Sequence, residues 1–217
     1  MAEQKKSVII LPKEEIPRAG VLLTDAFRED PVWKAVFHGA NDREERLNAF
    51  YQTPLRYSYK YGEVYASSEN LEGVAAWVPG RYAEMTFWRM LVSGAVKSGF
   101  RMGMNFAKKL DQIFKRLKTD RTEIMEGKDF LYLQIIGVAH EFQGKGFGGR
   151  LLKALIEKSE EAALPVYLET ETEENVELYR RFGFSLAKQI TLPIVDLPMW
   201  EMVREPEADR ERRKLRD

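Results

Sequence analysis

The chain has 217 residues, with 34 Lys+Arg balanced by 34 Asp+Glu, a neutrality that argues against broad electrostatic attraction to nucleic acid or an anionic membrane. It has no cysteine and only two histidines, His38 and His140, which excludes disulfides and cysteine-bound metal centres and leaves no expected metal site. No apolar run reaches the roughly 18 residues of a membrane span or the about 7–15 of a secretory signal, so the expectation is a cytoplasmic protein.

In chain order, residues 8–11 read as a short strand closed by Pro12. Apolar residues at 16, 19, 22, 23, 26 and 27 have helical spacing, and Asp30-Pro31 ends that helix. Leu47, Phe50, Tyr51, Leu55 and Tyr59 predict a second helix, bent or broken near Pro54. Residues 62–68 and 72–78 read as a hairpin stopped by Pro79-Gly80. Between 84 and 118 two helical faces, Phe87 to Val96 and Phe106 to Leu117, are interrupted by Gly94, Gly99 and Gly103. Phe130–Ala139 reads as a strand, 140–146 as a loop, 147–163 as a helix and 165–169 as a strand. A helix over 173–182 is ended by Gly183, and strands follow at 184–192 and 200–203. The expected organisation is one domain over 1–204 and a charged, solvated tail or frayed helix over 205–217.

The loop is the most informative stretch. Gly144, Gly146, Gly148 and Gly149 lie between a strand and an amphipathic helix. Glycines there let the backbone approach a bound group, and the helix start points unsatisfied N–H groups and a positive dipole end into the loop. The segment reads as an anion site for a phosphate or pyrophosphate. The P-loop pattern fails because Gly146, not Ser or Thr, follows Lys145. The dinucleotide pattern matches literally at Gly144, Gly146 and Gly149, with the acidic Glu169 20 positions after the last glycine. Against a dinucleotide-dependent oxidoreductase stand His140 to Gln143, which separate strand from glycines, the short chain after Glu169, and the antiparallel hairpin before the loop.

The stretch from Val138 through Gln143-Gly-Lys-Gly-Phe-Gly148 resembles the acetyl-CoA signature of the GNAT superfamily of N-acetyltransferases. Leu178-Tyr179-Arg-Arg-Phe-Gly-Phe184 is similar to its second signature, and Pro165 to Glu171 stands where the family has its fifth strand. With Leu-Glu-Thr at 168–170 and Asn175, the pattern looks most like the branch containing puromycin N-acetyltransferase. The resemblance is strong over roughly 130–190. It departs at His140, where many members have proline, and at Thr172, where many have asparagine.

The resemblance implies an α/β (α+β) fold: a mixed, mostly antiparallel sheet of six to seven strands, splayed between the fourth and fifth, with helices on both faces and a helical insertion at about 84–118. It implies acetyl-CoA as cofactor, its pantetheine arm paired with the backbone of Ile136, Gly137 and Val138. Gln143, Gly144, Lys145, Gly146, Phe147 and Gly148 would hold the pyrophosphate, with Asn175 a further contact. It implies transfer of an acetyl group to a primary amine of a small molecule by direct attack in a ternary complex. Val138 N–H would stabilise the oxyanion, Tyr179 would act as acid, and Glu169 as base with Glu171 the alternate. Tyr132 and Gln134, on one side of the fourth strand, would orient the substrate. The reading that remains beside it is an acetyl-CoA-sensing module without turnover. Partners are then a small-molecule amine, with no nucleic acid or membrane, in a monomer or homodimer.

The acceptor pocket is expected from the first helices and the 84–118 insertion, with Met85, Met90, Met102 and Met104 beside Trp33, Phe37, Trp88 and Phe100 supplying an adaptable apolar lining. Residues 97–121, rich in Lys and Arg, read as a solvated helix face.

Overall fold

The computed structural model describes residues 8–96 and 104–214. The hairpin expected around residue 70 forms the middle of the sheet, as strands β2 (Glu63–Ala66) and β3 (Gly73–Pro79). Val74 to Val78 are all buried, the pattern of a strand covered on both faces. A short β1 (Ile9–Ile10) extends one edge. On the other side come β4 (Leu131–Val138) and β5 (Val166–Thr170), then a closing hairpin of β6 (Ser185–Thr191) and β7 (Pro198–Arg204). The order is β1-β2-β3-β4-β5-β7-β6, so the seven-stranded sheet is antiparallel except at β4–β5.

Helices cover both faces. On one, α1 (Ile16–Ala26), α2 (Pro31–Val36), α3 (Arg43–Tyr61) and α5 (Met104–Ile124) bury Leu23, Val36, Leu55 and Ile113 against Val74 and Ala76. On the other, α6 (Phe147–Ala162) and α7 (Glu173–Arg181) bury Leu151, Leu155 and Val176 against Trp77, Leu133 and Leu168. The apolar faces of these helices are thus buried against the sheet, one set per layer. No helix of the described residues is long and apolar enough to cross a membrane.

Three elements differ from expectation. Asp30-Pro31 closes α1 and also opens α2. Asp30 Oδ1 accepts the Trp33 N–H at 3.0 Å and Pro31 occupies the first turn, the arrangement in which proline costs no hydrogen bond. Helix α3 runs unbroken through Pro54, which is buried, so tertiary packing offsets the lost backbone bond. The face of α4 (Phe87–Ser93) made of Phe87, Trp88, Leu91 and Val92 is exposed rather than buried. Gly94 ends α4 in a left-handed conformation (φ 75°), whereas Gly99 and Gly103 lie outside the described residues. The tail begins as a helix, α8 (Glu207–Lys214), and the Glu207 N–H donates to the Glu160 carboxylate of α6 at 2.9 Å.

Where α3 meets the sheet, Gly62 has no room for a side chain: a Cβ would lie 2.0 Å from the carbonyl oxygen of Trp77 and 2.8 Å from Val78 Cα. Backbone, not a rotatable side chain, fills that space. Gly62→Ala is therefore expected to destabilise the protein by about 1–3 kcal/mol through overpacking, read from the urea midpoint; an unchanged midpoint would show that the two segments separate freely.

Candidate active site

Strand β4 holds one residue more than its partner can match. Its register with β3 runs Trp77 to Leu133 and then Ala76 to Ile135, so Gln134 is the extra residue of a β-bulge. A bulge bends its strand. On the other side β4 pairs with β5 only at Leu131–Val166 and Tyr132–Tyr167. Beyond the bulge the two strands are parted, as expected for the fourth and fifth strands.

Past the bulge, backbone groups alternate in direction. The Ala139 N–H donates to Glu72 O, on the β3 side, at 2.9 Å. By alternation the N–H groups of Ile136 and Val138 face the gap, and that of Gly137 faces β3. The Val138 carbonyl, also toward the gap, accepts from the Gln143 side-chain amide at 3.1 Å, so Gln143 fastens the loop to the strand. Gly137 serves packing: a Cβ there would lie 2.6 Å from Leu23 of α1.

The glycine loop is open. After a 3-10 turn at His140–Phe142, Gly144 and Gly146 have φ of 73° and 84°, and a Cβ on either would meet no atom within 4 Å. Gly146 is the N-cap of α6 and no side chain caps that helix, so its first N–H groups face the loop without a partner. A Cβ on Gly148 would lie 3.5 Å from Val138 Cγ2, an ordinary contact distance. Lys145 lies over the Phe142 ring at 5.3 Å and Arg150 over the Phe147 ring at 4.6 Å, which keeps two cations at the rim. Main-chain donors, a helix dipole and flanking cations fit a phosphorylated cofactor, and the gap beside Ile136 and Val138 fits an extended arm leading from it.

Tyr179 is placed by the way α7 ends. Gly183 (φ 85°) follows the helix, its N–H donates to Arg180 O at 2.9 Å, and the Phe184 N–H donates to Tyr179 O at 3.1 Å. That is a Schellman motif, and its hydrophobic contact is Phe184 against the Tyr179 ring, centroids 5.6 Å apart. Burial, then the nearby Glu171 charge, raise the Tyr179 pKa, so the phenol keeps its proton. The start of α7 is capped by Thr172, whose hydroxyl accepts the Asn175 N–H at 3.3 Å. Asn175 thus sits one turn before Tyr179.

Tyr132, Tyr167 and Glu169 share one face of the sheet, covered by α5. The Glu169 carboxylate accepts from Arg121 at 2.9 Å, and both side chains are nine-tenths buried. Arg121 lies over the Tyr132 ring at 4.5 Å. Burial raises the Glu169 pKa while Arg121 and hydrogen bonding from Tyr132 and Tyr167 oppose the rise. Among the described residues of 97–121, Arg121 departs from the expected solvated face, where Lys115 pairs with Asp111 and Lys118 with Glu84 at the surface. Glu171 differs from Glu169: burial first, then the charge of Asp30, pushes its pKa up to about 8. Gln134, whose carbonyl accepts from the Ser58 hydroxyl, keeps its buried amide nitrogen without a partner.

Of the expected pocket residues, Trp33 and Phe37 belong to the core beneath α2, Trp88 points outward, and Phe100 and Met102 lie outside the described residues. Sequence reasoning missed Asp30, Tyr51 and Arg121. Asp30 carries a local signal, an N-cap acid before proline; the other two are recognisable only through contacts distant in sequence.

Glu201 of β7 sits opposite Glu169 and is fully buried. One of its oxygens accepts from the Tyr167 hydroxyl at 3.0 Å and the other has no partner; burial pushes its pKa up to about 7. Glu171 and Glu201 both titrate above the roughly 4.3 of an unfolded glutamate. The native state holds their protons more tightly, so their stabilisation is complete below about pH 4 and lost as pH rises through about 7 to 8. Unfolding free energy is expected to fall between pH 5 and 8, and Glu201→Gln should flatten that fall; identical slopes in urea titrations of both proteins would refute the assignment.

Residues 71–184 match the sequence profile of the family described as the acetyltransferase (GNAT) family. An uncharacterized N-acetyltransferase of Schizosaccharomyces pombe is 25% identical over 203 residues, covering 90% of this chain and 82% of its own. Among solved structures, a Corynebacterium glutamicum protein described as histone acetyltransferase HPA2 and related acetyltransferase superposes with TM-score 0.63 at 18% identity, covering 92% of this chain and 96% of that one. A putative arylalkylamine N-acetyltransferase 7 of the yellow fever mosquito Aedes aegypti gives TM-score 0.63 at 15% identity, over 91% and 86%. At such identities the superpositions speak for the fold; with the profile spanning the gap, the glycine loop and Tyr179, the chain belongs to the GNAT acetyltransferase family.

Proposed function

We propose that this protein is an acetyl-CoA-dependent N-acetyltransferase acting on a primary amine of a small molecule by direct attack in a ternary complex. The observation that carries it is the gap between β4 and β5, opening past two residue pairs onto an uncapped helix start and an unobstructed glycine loop. Acetyl-CoA supplies the activated acetyl group as a thioester. The N–H groups of the loop from Gln143 to Gly148 hold the diphosphate, and Ile136 with Val138 bind the pantetheine arm along β4. The motif pattern around 168–175 favours the puromycin N-acetyltransferase-like branch.

Tyr179 donates the proton to the departing thiolate; its raised pKa keeps the phenol loaded. For the base, Glu171 has the better standing than Glu169. Arg121 engages the Glu169 carboxylate at 2.9 Å, and Glu169 acts in this scheme by fixing Arg121 and Tyr132 under the gap. Glu171, with a pKa of about 8, is matched to taking a proton from an amine near neutral pH. The Val138 N–H, aimed at the gap, stabilises the developing oxyanion.

Thiol release over a panel of amines tests the reading. Turnover with at least one amine is expected, and Tyr179→Phe should lower kcat about 100-fold or more; full activity in that variant would remove Tyr179 from the acid role. The rate is expected to rise with pH to a plateau above about 8, and Glu171→Gln should abolish that limb and lower kcat by a similar factor. Acetyl-CoA binding without turnover by any amine would favour a sensing module, and NADH binding in its place an oxidoreductase.

Gly146→Val places a branched side chain at a left-handed helix start. Acetyl-CoA affinity is expected to fall at least tenfold by calorimetry, with the circular dichroism spectrum kept; unchanged affinity would contradict the backbone cradle.

A further inference from the structure

One ion pair ties three helix ends together. Arg204, the last residue of β7, is 5% exposed. Its Nε donates to the Phe182 carbonyl at 3.0 Å, and its Nη2 meets the Glu160 carboxylate at 2.6 Å. Glu160 stands in the last turn of α6. Its two oxygens also accept the Glu207 N–H, at 3.2 and 2.9 Å, and so satisfy a main-chain donor at the start of α8. Burial works against the Glu160 charge, but the Glu207 N–H and Arg204 outweigh burial and lower its pKa.

The third end is that of α7, the helix that carries Tyr179. The Tyr179 carbonyl accepts the N–H groups of Phe182 and Phe184, at 2.9 and 3.1 Å, and the Arg180 carbonyl accepts that of Gly183 at 2.9 Å. Phe182 is the residue that closes the helix, and its carbonyl is the one that Arg204 takes. A buried carbonyl needs a donor, and a cation at a helix C-terminus complements the dipole. Arg210 of α8 brings a second guanidinium to the same turn: a Cβ on Gly183 would lie 2.5 Å from Arg210 Nη1 and 3.6 Å from Arg204 Nε. The turn is therefore held from outside, by β7 and α8, as well as by its own main chain.

Stability alone does not account for this arrangement. Taking a guanidinium out of water offsets much of what its ion pair contributes, and Arg204 Nη1 is buried without a partner. What the pair does achieve is a fixed distance between the end of α7 and α6, the helix whose start faces the glycine loop. We propose that Arg204 and Glu160 are positioning residues for Tyr179, holding the end of α7 so that the phenol meets the thioester sulfur in register. The catalytic consequence rests on the acetyl-transfer reading; the anchoring of α7 does not. A misplacement of about 1 Å at a reacting group slows a step by up to about 100-fold.

The test uses the full-length protein, acetyl-CoA and the amine that it acetylates fastest in the panel. Arg204→Gln is expected to lower kcat about tenfold while acetyl-CoA affinity by calorimetry stays within about twofold. In the Tyr179→Phe background the same substitution should lower kcat by less than about twofold, because the group it positions is no longer there. Arg204→Lys keeps the charge beside Glu160 and serves where Arg204→Gln does not fold. Its single ammonium cannot span both acceptors, so a smaller loss of about threefold is expected, with the same dependence on Tyr179. An unchanged kcat in both variants, or equal losses with and without the Tyr179 hydroxyl, overturns the proposal and leaves the acetyl-transfer reading standing. In a protein that releases no thiol with any amine, the anchor is read from amide hydrogen exchange at Phe184, whose N–H is bonded to the Tyr179 carbonyl. Exchange about tenfold faster in the Arg204 variants then upholds the anchor and removes the acetyl-transfer reading, and unchanged exchange overturns both.

Discussion

Strands β4 and β5 touch over two residue pairs and then separate, and the rest of the site follows from that separation. A parallel pair normally continues until its backbone groups are satisfied, because unpaired buried N–H and C=O groups are costly. Here the bulge at Gln134 turns β4 aside after Leu133 and leaves Ile136 and Val138 facing a space instead of a neighbour. Sheet edges of this kind accept an extended ligand by main-chain hydrogen bonding. Gln143 draws the glycine loop onto the end of the same strand, so the loop and the edge form one continuous surface.

The gap is kept open by what is packed around it. On one face α1 lies against Gly137 so closely that no side chain fits between them. On the other, Leu151 and Leu155 of α6 and Val176 of α7 fill the layer beneath the loop. Helix α5, from the insertion, is tied to the sheet through buried charge. Arg121 reaches Glu169 on β5, and Asp120 accepts from Lys188 on β6 at 2.7 Å. Such pairs contribute little net stability after desolvation, yet breaking one leaves an uncompensated charge. Their effect is to fix where α5 stands relative to β5, and with it the position of Tyr132 under the guanidinium.

Two glutamates two residues apart on one face thus acquire different chemistry. Glu169 is held by a cation and two tyrosines; Glu171 has an acid opposite it and no described cation bonded to it. Sequence spacing treats the two alike. Burial raises both pKa values, but Arg121 and hydrogen bonding from Tyr132 and Tyr167 oppose the rise at Glu169, whereas the charge of Asp30 adds to it at Glu171.

The sequence by itself determined most of the element order and, through the loop motif, the family resemblance that implied helices on both faces of the sheet, because hydrophobic period, glycine placement and the loop motif are local properties. The Gly183 cap that positions Tyr179 and the glycines that open the loop were legible for the same reason. Helix α2 was read as a stop signal, since Asp-Pro closes one helix and opens another with the same residues. The outward face of α4 was misread because amphipathicity states that a face is apolar and not what covers it. Only the tertiary structure decided that the bulge falls at Gln134, that Arg121 pairs with Glu169, and that the charge of Asp30 acts on Glu171. Those facts depend on register and on approaches between residues distant in sequence, 48 positions for Arg121 and Glu169, and a charge has no address in sequence until the packing brings its partner to it.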